Sequence, residues 1–274
     1  MDVDKAWDKL YARLKDEGLL VAENERTNIV PFIVKMRRAA AIAALCICSG
    51  AMVLYLSTKK ENSAFVSIYN DDISKTLVST LNDGSIVFLT SGAELTCPEQ
   101  FAENKRQVSL KGEALFDVHS DKECPFLIET VPAMVEVTGT QFNIKSDSKD
   151  LFELSVQHGS VMVMLKSTGL SMQVESGETV HLQAGQLQKT WTTDQHQLAR
   201  YTEKMHFKDE RLDHIIRVIN KISDKPVVLA DDSLKNREIF ITFDNDTVTE
   251  MVELVCATLE LTYTDNGNEF IIGR

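Results

Sequence analysis

The sequence has no basic stripe to offset its acidity, few cysteines, and none of the short motifs that mark common catalytic centres. Its 29 Lys and Arg stand against 41 Asp and Glu, a formal net charge of −12. Phosphate backbones attract clustered Lys and Arg, so this balance argues against direct nucleic-acid binding. The cysteines, Cys46, Cys48, Cys97, Cys124 and Cys256, show no zinc-ligand spacing. The histidines, His119, His158, His181, His196, His206 and His214, are scattered, and no H-E-x-x-H, C-x-x-C or D-x-D-x-D-G pattern occurs. Ser91-Gly92 lacks the preceding glycine of a G-x-S-x-G elbow, and there is no Walker or G-x-G-x-x-G loop. Metal, cofactor and serine-hydrolase chemistry have no residues to rest on, and the chain reads as a non-enzyme. Asp213-His214 is not a dyad by this reading, because His214 lies beside an apolar helical stripe and is expected to face solvent. Asp231-Asp232 and Asp244-Asn245-Asp246 fit capping and turn roles rather than cation binding.

What is present divides into unlike parts. Apolar residues make up 43% of 274, too many for disorder, and the length suffices for two modest domains. Residues 1–38 carry eight Lys and Arg against seven Asp and Glu, so the acidity belongs to the rest of the chain. From Ala39 to Thr58 run 20 consecutive uncharged residues, flanked by Lys35, Arg37 and Arg38 before and by Lys59 and Lys60 after. About 20 apolar residues span a bilayer core as a helix, so the run predicts one transmembrane crossing. A buried core helix is disfavoured by the charges on both flanks. A cleaved signal peptide is disfavoured by the long charged n-region and the lack of an A-x-A site. No lipobox surrounds Cys46 or Cys48. Arg26, Lys35, Arg37 and Arg38 outweigh Lys59 and Lys60, which favours a cytoplasmic N-terminus and an extracytoplasmic C-terminal part. Outside the cytoplasm a disulfide between Cys97 and Cys124 is open, and two unpaired small hydrophobes fit as well.

Asp2 to Leu20 predicts a helix with Val3, Trp7, Leu10, Tyr11 and Leu14 at three- and four-residue intervals, ended by Gly18. One such helix cannot bury a Trp, a Tyr and two leucines alone, so it needs a surface. Its acidic residues nearly balance its basic ones, which favours a protein groove over the inner leaflet. Val30 to Val34, interrupted by Pro31, reads as an extended linker.

From about Ser63 to Trp191 the pattern becomes short alternating segments separated by Gly-containing turns. Examples are Ser85 to Leu89, Val108 to Leu110 before Lys111-Gly112, Leu115 to Val118, Val135 to Val137 and Phe142 to Ile144. They predict an all-β sandwich, barrel or solenoid-like sheet. The change of apolar parity across Gly139-Thr140 predicts a bulge.

Several spaced motifs in this stretch carry a resemblance. They are LNDGSIVFLTSGAELTCPEQF, RQVSLKGEALFDVHSDKECPFLIET, VEVTGTQFNIKS and LSVQHGSVMV. The stretch from Val78 to Leu187 resembles the FecR family of membrane anti-sigma regulators, with Cys97 where a Tyr is common and His119 after a strand more often continued by small or acidic residues. Residues 204–274 read as two β-α-β units. The first has the stripe Leu212, Ile215, Ile216, Ile219 and Ile222 and a strand Val227 to Leu229. The second has Ile239, Ile241 and Phe243, then a capping box Thr247-x-x-Glu250 before the stripe Val248, Met251, Val252, Val255 and Leu259. Asn266-Gly267 predicts a type I′ hairpin. This order resembles the short N-terminal signalling domain of secretins and TonB-dependent transporters.

The expected fold class is mainly β plus α+β. It comprises a cytoplasmic sigma-binding segment 1–38, a transmembrane helix 39–58, a periplasmic FecR-like all-β domain 59–200 and a periplasmic βαβ-βαβ signalling domain 201–274. The resemblance implies an anti-sigma regulator of an extracytoplasmic-function (ECF) sigma factor, held by Trp7, Leu10, Tyr11 and Leu14. It further implies that the C-terminal domain meets the periplasmic signalling domain of an outer-membrane TonB-dependent transporter, and that intramembrane proteases act on the span in the inner membrane. The rival is a membrane-anchored periplasmic scaffold or carbohydrate-binding protein.

Overall fold

The computed structural model describes residues 3–18, 49, 64–192 and 197–274. Residues up to Glu61 and those from Asn62 onward form two separate units. The first contains helix α1, Val3–Asp16. Asp4 lies in its first turn and Arg13 and Lys15 in its last, each placed to complement the helix dipole. Gly18 stops it with φ of +66° and an N–H bonded to Lys15 O at 3.3 Å. Except for Ser49, the predicted span Ala39 to Thr58 lies outside the described residues. Among those described, no helix is long and apolar enough to cross a membrane.

The second unit is mostly β. Its strands are β1 (Phe65–Tyr69), β2 (Thr76–Thr80), β3 (Ile86–Leu89), β4 (Glu94–Pro98), β5 (Arg106–Asp117), β6 (Phe126–Glu129), β7 (Ala133–Val137), β8 (Gln141–Ser146) and β9 (Glu153–His158). Then follow β10 (Ser160–Leu165), β11 (Ser171–Glu175), β12 (Glu178–Gln183) and β13 (Gln186–Trp191). Strand β5 belongs to two half-sheets. Its first half pairs with β4 and, in parallel, with β6, in the order β1-β4-β5-β6-β7-β10-β11. Its second half pairs with β3 and β8, in the order β13-β12-β9-β8-β5-β3-β2. The continuous sheet thus folds over itself into a nearly closed, barrel-like sandwich. Leu95, Leu110, Phe126 and Val135 of one half meet Leu89, Phe116 and Phe142 of the other in a single core.

Two glycines marked as turn and bulge have other roles. Val108–Leu110 and Leu115–Val118 are not two strands parted by a turn, because β5 runs unbroken through Gly112. Gly112 sits where the strand passes between half-sheets, at φ of +101°, and an added Cβ would lie 2.8 Å from Ala93 Cα. Only glycine bends there and lets the Ala93 backbone so close. The parity change around Gly139 arises because β7 and β8 lie in different half-sheets. Gly139 has φ of +150° and would place a Cβ 2.6 Å from Ser120 Cα. A register shift does occur, one step later, between Gln141 and Phe142 in the pairing with β9.

The sandwich carries a buried cation that periodicity did not reveal. Arg106, 3% exposed, donates from Nη1 to Asp83 Oδ2 at 2.8 Å and His119 O at 2.9 Å, and from Nε to Cys124 O at 3.0 Å. Its guanidinium lies 5.4 Å from the centre of the Phe126 ring.

The C-terminal part contains α2 (Gln197–Thr202), β14 (Lys204–Arg211), α3 (Leu212–Ile222), β15 (Val227–Leu229), β16 (Glu238–Asp244), α4 (Val248–Leu259), β17 (Thr262–Asp265) and β18 (Phe270–Gly273). The elements run strand, helix, strand, twice, but the strands of each unit lie in different sheets. β14 pairs antiparallel with β16 and parallel with β2, so it extends the sandwich sheet. β15, β18 and β17 form a separate three-stranded sheet. The Thr247–Glu250 capping box is present in both directions, and the stripes Leu212, Ile215, Ile216, Ile219 and Met251, Val252, Val255, Leu259 are buried. The closing hairpin is found with a four-residue loop, since Asp265 pairs with Phe270, rather than a type I′ turn. Asn266 Oδ1 accepts from Asn268 N–H and Glu269 N–H, which shapes the longer loop.

Candidate partner-binding surfaces

At about 100° per residue, Trp7, Leu10, Tyr11 and Leu14 fall within one side of α1. Trp7 is 63% exposed, Tyr11 62% and Leu10 48%, while Leu14 is half-buried. The four residues singled out from spacing therefore share one helix face, and their large apolar surface is open to solvent. Lys9 and Asp16 lie on the polar remainder of the same helix.

The second surface is the far end of the extended sheet. Among the described residues β16 pairs with β14 alone and forms the last strand of the order, so its outer row of backbone N–H and C=O groups faces outward. Ile239, Ile241 and Phe243 turn into the core, whereas Phe240 stands outward and 61% exposed. Beside it the buried His206 ring meets the Phe240 ring edge-on at 4.6 Å, with Nδ1 2.7 Å from Thr242 Oγ1. Phe240 was not singled out from sequence. Its signal was an aromatic at an outward position of an otherwise alternating strand.

Burial is the main cause that holds the His206 pKa below its ordinary value of 6.5, helped by Lys208 and Lys75 and opposed by Asp72 and Asp71. A lowered folded pKa means that the unfolded chain takes up a proton that the folded chain resists. Stability attributable to His206 is therefore fully present above the unfolded pKa and is lost as pH falls from there through the lower folded pKa. Urea midpoints measured from about pH 7.5 to about pH 5 are expected to fall less steeply for His206→Gln than for the unsubstituted protein. Superimposed slopes would assign the acid sensitivity to other groups.

The join between sandwich and C-terminal part is polar at its rim and apolar inside. Val78, Ile86, Phe88 and Leu115 project from the sandwich into the same core as Met205, Phe207, Leu212 and Ile215. The Tyr201 hydroxyl lies 2.9 Å from Glu113 Oε1 and 2.7 Å from Asn143 Oδ1, and burial, followed by the Glu113 charge, pushes its pKa up. His214, expected to face solvent, is instead half-buried, with Nδ1 2.6 Å from Glu210 Oε1. The other Glu210 oxygen accepts from Thr80 N–H at 3.3 Å, which ties β14 to β2 beyond the end of their short pairing.

Cys97 and Cys124 are free thiols. Cys97 turns into the sandwich core and burial pushes its pKa up, whereas Cys124 Sγ lies 4.0 Å from Ala102 O in a loop. Asp231 caps the turn at 232–234 and accepts from Ser233 N–H at 2.8 Å, while Asp246 Oδ2 accepts from Asp244 N–H at 2.8 Å. Among the described residues no group of three or more His, Cys, Asp or Glu is placed to hold a metal ion.

The first unit thus offers an exposed helix stripe, and the second, a fused β-rich body, offers an outer sheet edge. Residues 74–162 match the family model described as FecR protein, and residues 204–272 match the model described as FecR, C-terminal. Together they cover more than half of the chain, and the chain belongs to the FecR family. Two crystal structures of a candidate anti-sigma factor from Parabacteroides distasonis are similar to it. One, 23% identical, covers 77% of this chain and 99% of its own, with a TM-score of 0.47. The other, also 23% identical, covers 76% and 99%, with a TM-score of 0.46. No curated protein matches the chain.

Proposed function

We propose that this chain is a transmembrane anti-sigma regulator that relays the state of an outer-membrane TonB-dependent transporter to an ECF sigma factor, and so controls transcription of uptake genes. Membership of the FecR family supports the anti-sigma role. The observation that carries it in this molecule is the open face of α1, where Trp7, Leu10 and Tyr11 project into solvent. An amphipathic helix that keeps a Trp and a Tyr exposed is completed by a hydrophobic groove on another protein. In this reading residues 1–38 lie in the cytoplasm, Ala39 to Thr58 cross the inner membrane and are open to intramembrane proteases, and the remainder is periplasmic. The free edge of β16, with Phe240 beside it, supplies backbone groups for pairing with a strand of the transporter's signalling domain. The test is co-purification of the full chain with an ECF sigma factor, combined with a promoter reporter for that factor. Binding together with a changed reporter output on deletion of residues 1–38 is expected. A full chain that neither binds such a factor nor alters its promoter rejects the proposal.

A further inference from the structure

Strand β1 begins the described part of the second unit and, among the described residues, pairs with β4 alone, so it is an edge strand there. Its two leading residues are apolar and point to opposite faces of the sheet. Both are open to solvent, Phe65 at 71% and Val66 at 41%, and Tyr69, on the Phe65 side, is 55% exposed. Phe65 stands opposite Pro98 and Tyr69 opposite Glu94. Pairing with another strand would extend the sheet but leave both faces of this tip uncovered. A surrounding medium that accepts apolar groups covers both at once.

The chain's own connectivity names that medium. Six residues, Lys59 to Ala64, separate Phe65 from the uncharged run that ends at Thr58. An extended chain of that length reaches at most about 25 Å, and the headgroup layer on each side of a bilayer is about 5–8 Å deep. Two of the six are lysines, suited to lipid phosphates. We infer that the Phe65 end of β1 docks on the outer surface of the membrane that the chain crosses, with Phe65, Val66 and Tyr69 seated among the lipid headgroups. Tyr69, with an apolar ring and a polar hydroxyl, favours that layer, and Phe65 and Val66 add apolar surface that the acyl boundary accepts. Contact is deepest at Phe65 and fades toward Tyr69, because Glu94, whose Oε1 accepts the Ser67 hydroxyl at 2.6 Å, keeps that end in water. The inference rests on the membrane-spanning reading of Ala39 to Thr58.

The test uses the full chain in nanodiscs of phosphatidylethanolamine and phosphatidylglycerol, with the photocrosslinker p-benzoylphenylalanine placed singly at Phe65, Tyr69, Phe240 or Leu45. Position Leu45 reports the span and Phe240 is an exposed aromatic on another edge. Lipid adducts several-fold above the Phe240 level are expected at Phe65, with an intermediate yield at Tyr69 and a strong one at Leu45. Adducts at Leu45 with none at Phe65 overturn the docking while the span stands. Adducts from Phe65 to a second copy of the chain overturn it in favour of a dimer. Failure at Leu45 removes the span and the docking together.

Discussion

Replacing Trp7 and Leu14 together by alanine is expected to weaken binding to the sigma factor by about 3–5 kcal/mol, roughly a hundred- to several-thousandfold in Kd. Burying a large apolar side chain contributes about 1.5–3 kcal/mol, and Trp is among the commonest anchors of protein interfaces. Trp7 and Leu14 lie two turns apart on the same face, so their loss removes both ends of the stripe. Alanine is the strongest helix former, so the variant keeps its helix and the effect reads out lost contact rather than lost structure. Lys9→Ala, on the polar side, is the control and should change affinity little. Titration calorimetry with the sigma factor, alongside circular dichroism of each variant, makes the measurement. Wild-type affinity in the double variant would remove α1 from the interface.

Replacing Arg106 by methionine is expected to cost about 3–5 kcal/mol of folding stability, the penalty of leaving a buried carboxylate without its cation. The Asp83 side chain is 10% exposed and that of Arg106 4%, so water cannot take over. The carbonyls of His119 and Cys124 lose a donor in the same step, and the Phe126 ring loses the guanidinium 5.4 Å from its centre. Arg106→Lys should recover little, because one ammonium cannot supply the three separately directed N–H groups that Arg106 uses. The contrast is the Lys166–Glu129 pair, whose side chains are 34% and 43% exposed. Removing Lys166 should cost at most about 1 kcal/mol. Urea denaturation of the three variants decides it, and a loss for Arg106→Met no larger than for Lys166→Met would show that Asp83 finds another partner.

Much of this architecture was legible because it is written at short range. The α1 stripe, the Thr247–Glu250 capping box and the alternation in β16 each involve residues within a few positions of one another, where period and capping chemistry act directly. The failures share one cause. Lys111-Gly112 looks like a turn until Ala93, far off in sequence, occupies the space where a side chain would be, and the strand bends rather than reverses. His214 looks exposed beside its stripe until Glu210, itself bonded to Thr80 of β2, pairs with its ring. Arg106 carries no signal in the sequence, because Asp83 and the carbonyls of His119 and Cys124 that hold it all lie more than ten residues away along the chain. At the candidate sites the same division holds. That the α1 residues share one face follows from spacing, whereas Phe240 and the Phe65 tip became visible only once the pairing showed which strands end the sheets.

The sequence by itself determined the elements and their faces: a helix with one apolar side, a long run of alternating strands and two amphipathic helices, the second with its capping box. Those follow from backbone geometry and from the apolar groups that water excludes. Only the tertiary structure decided that the C-terminal elements extend the sandwich instead of standing apart, through the parallel pairing of β14 with β2 and a core shared by Val78, Phe88, Met205 and Phe207. The physical reason lies in β3, where all four residues of Ile86–Leu89 are buried. An apolar strand of that kind declares that both its faces are covered, but what covers them is set by chain closure over more than a hundred residues, which no local pattern records.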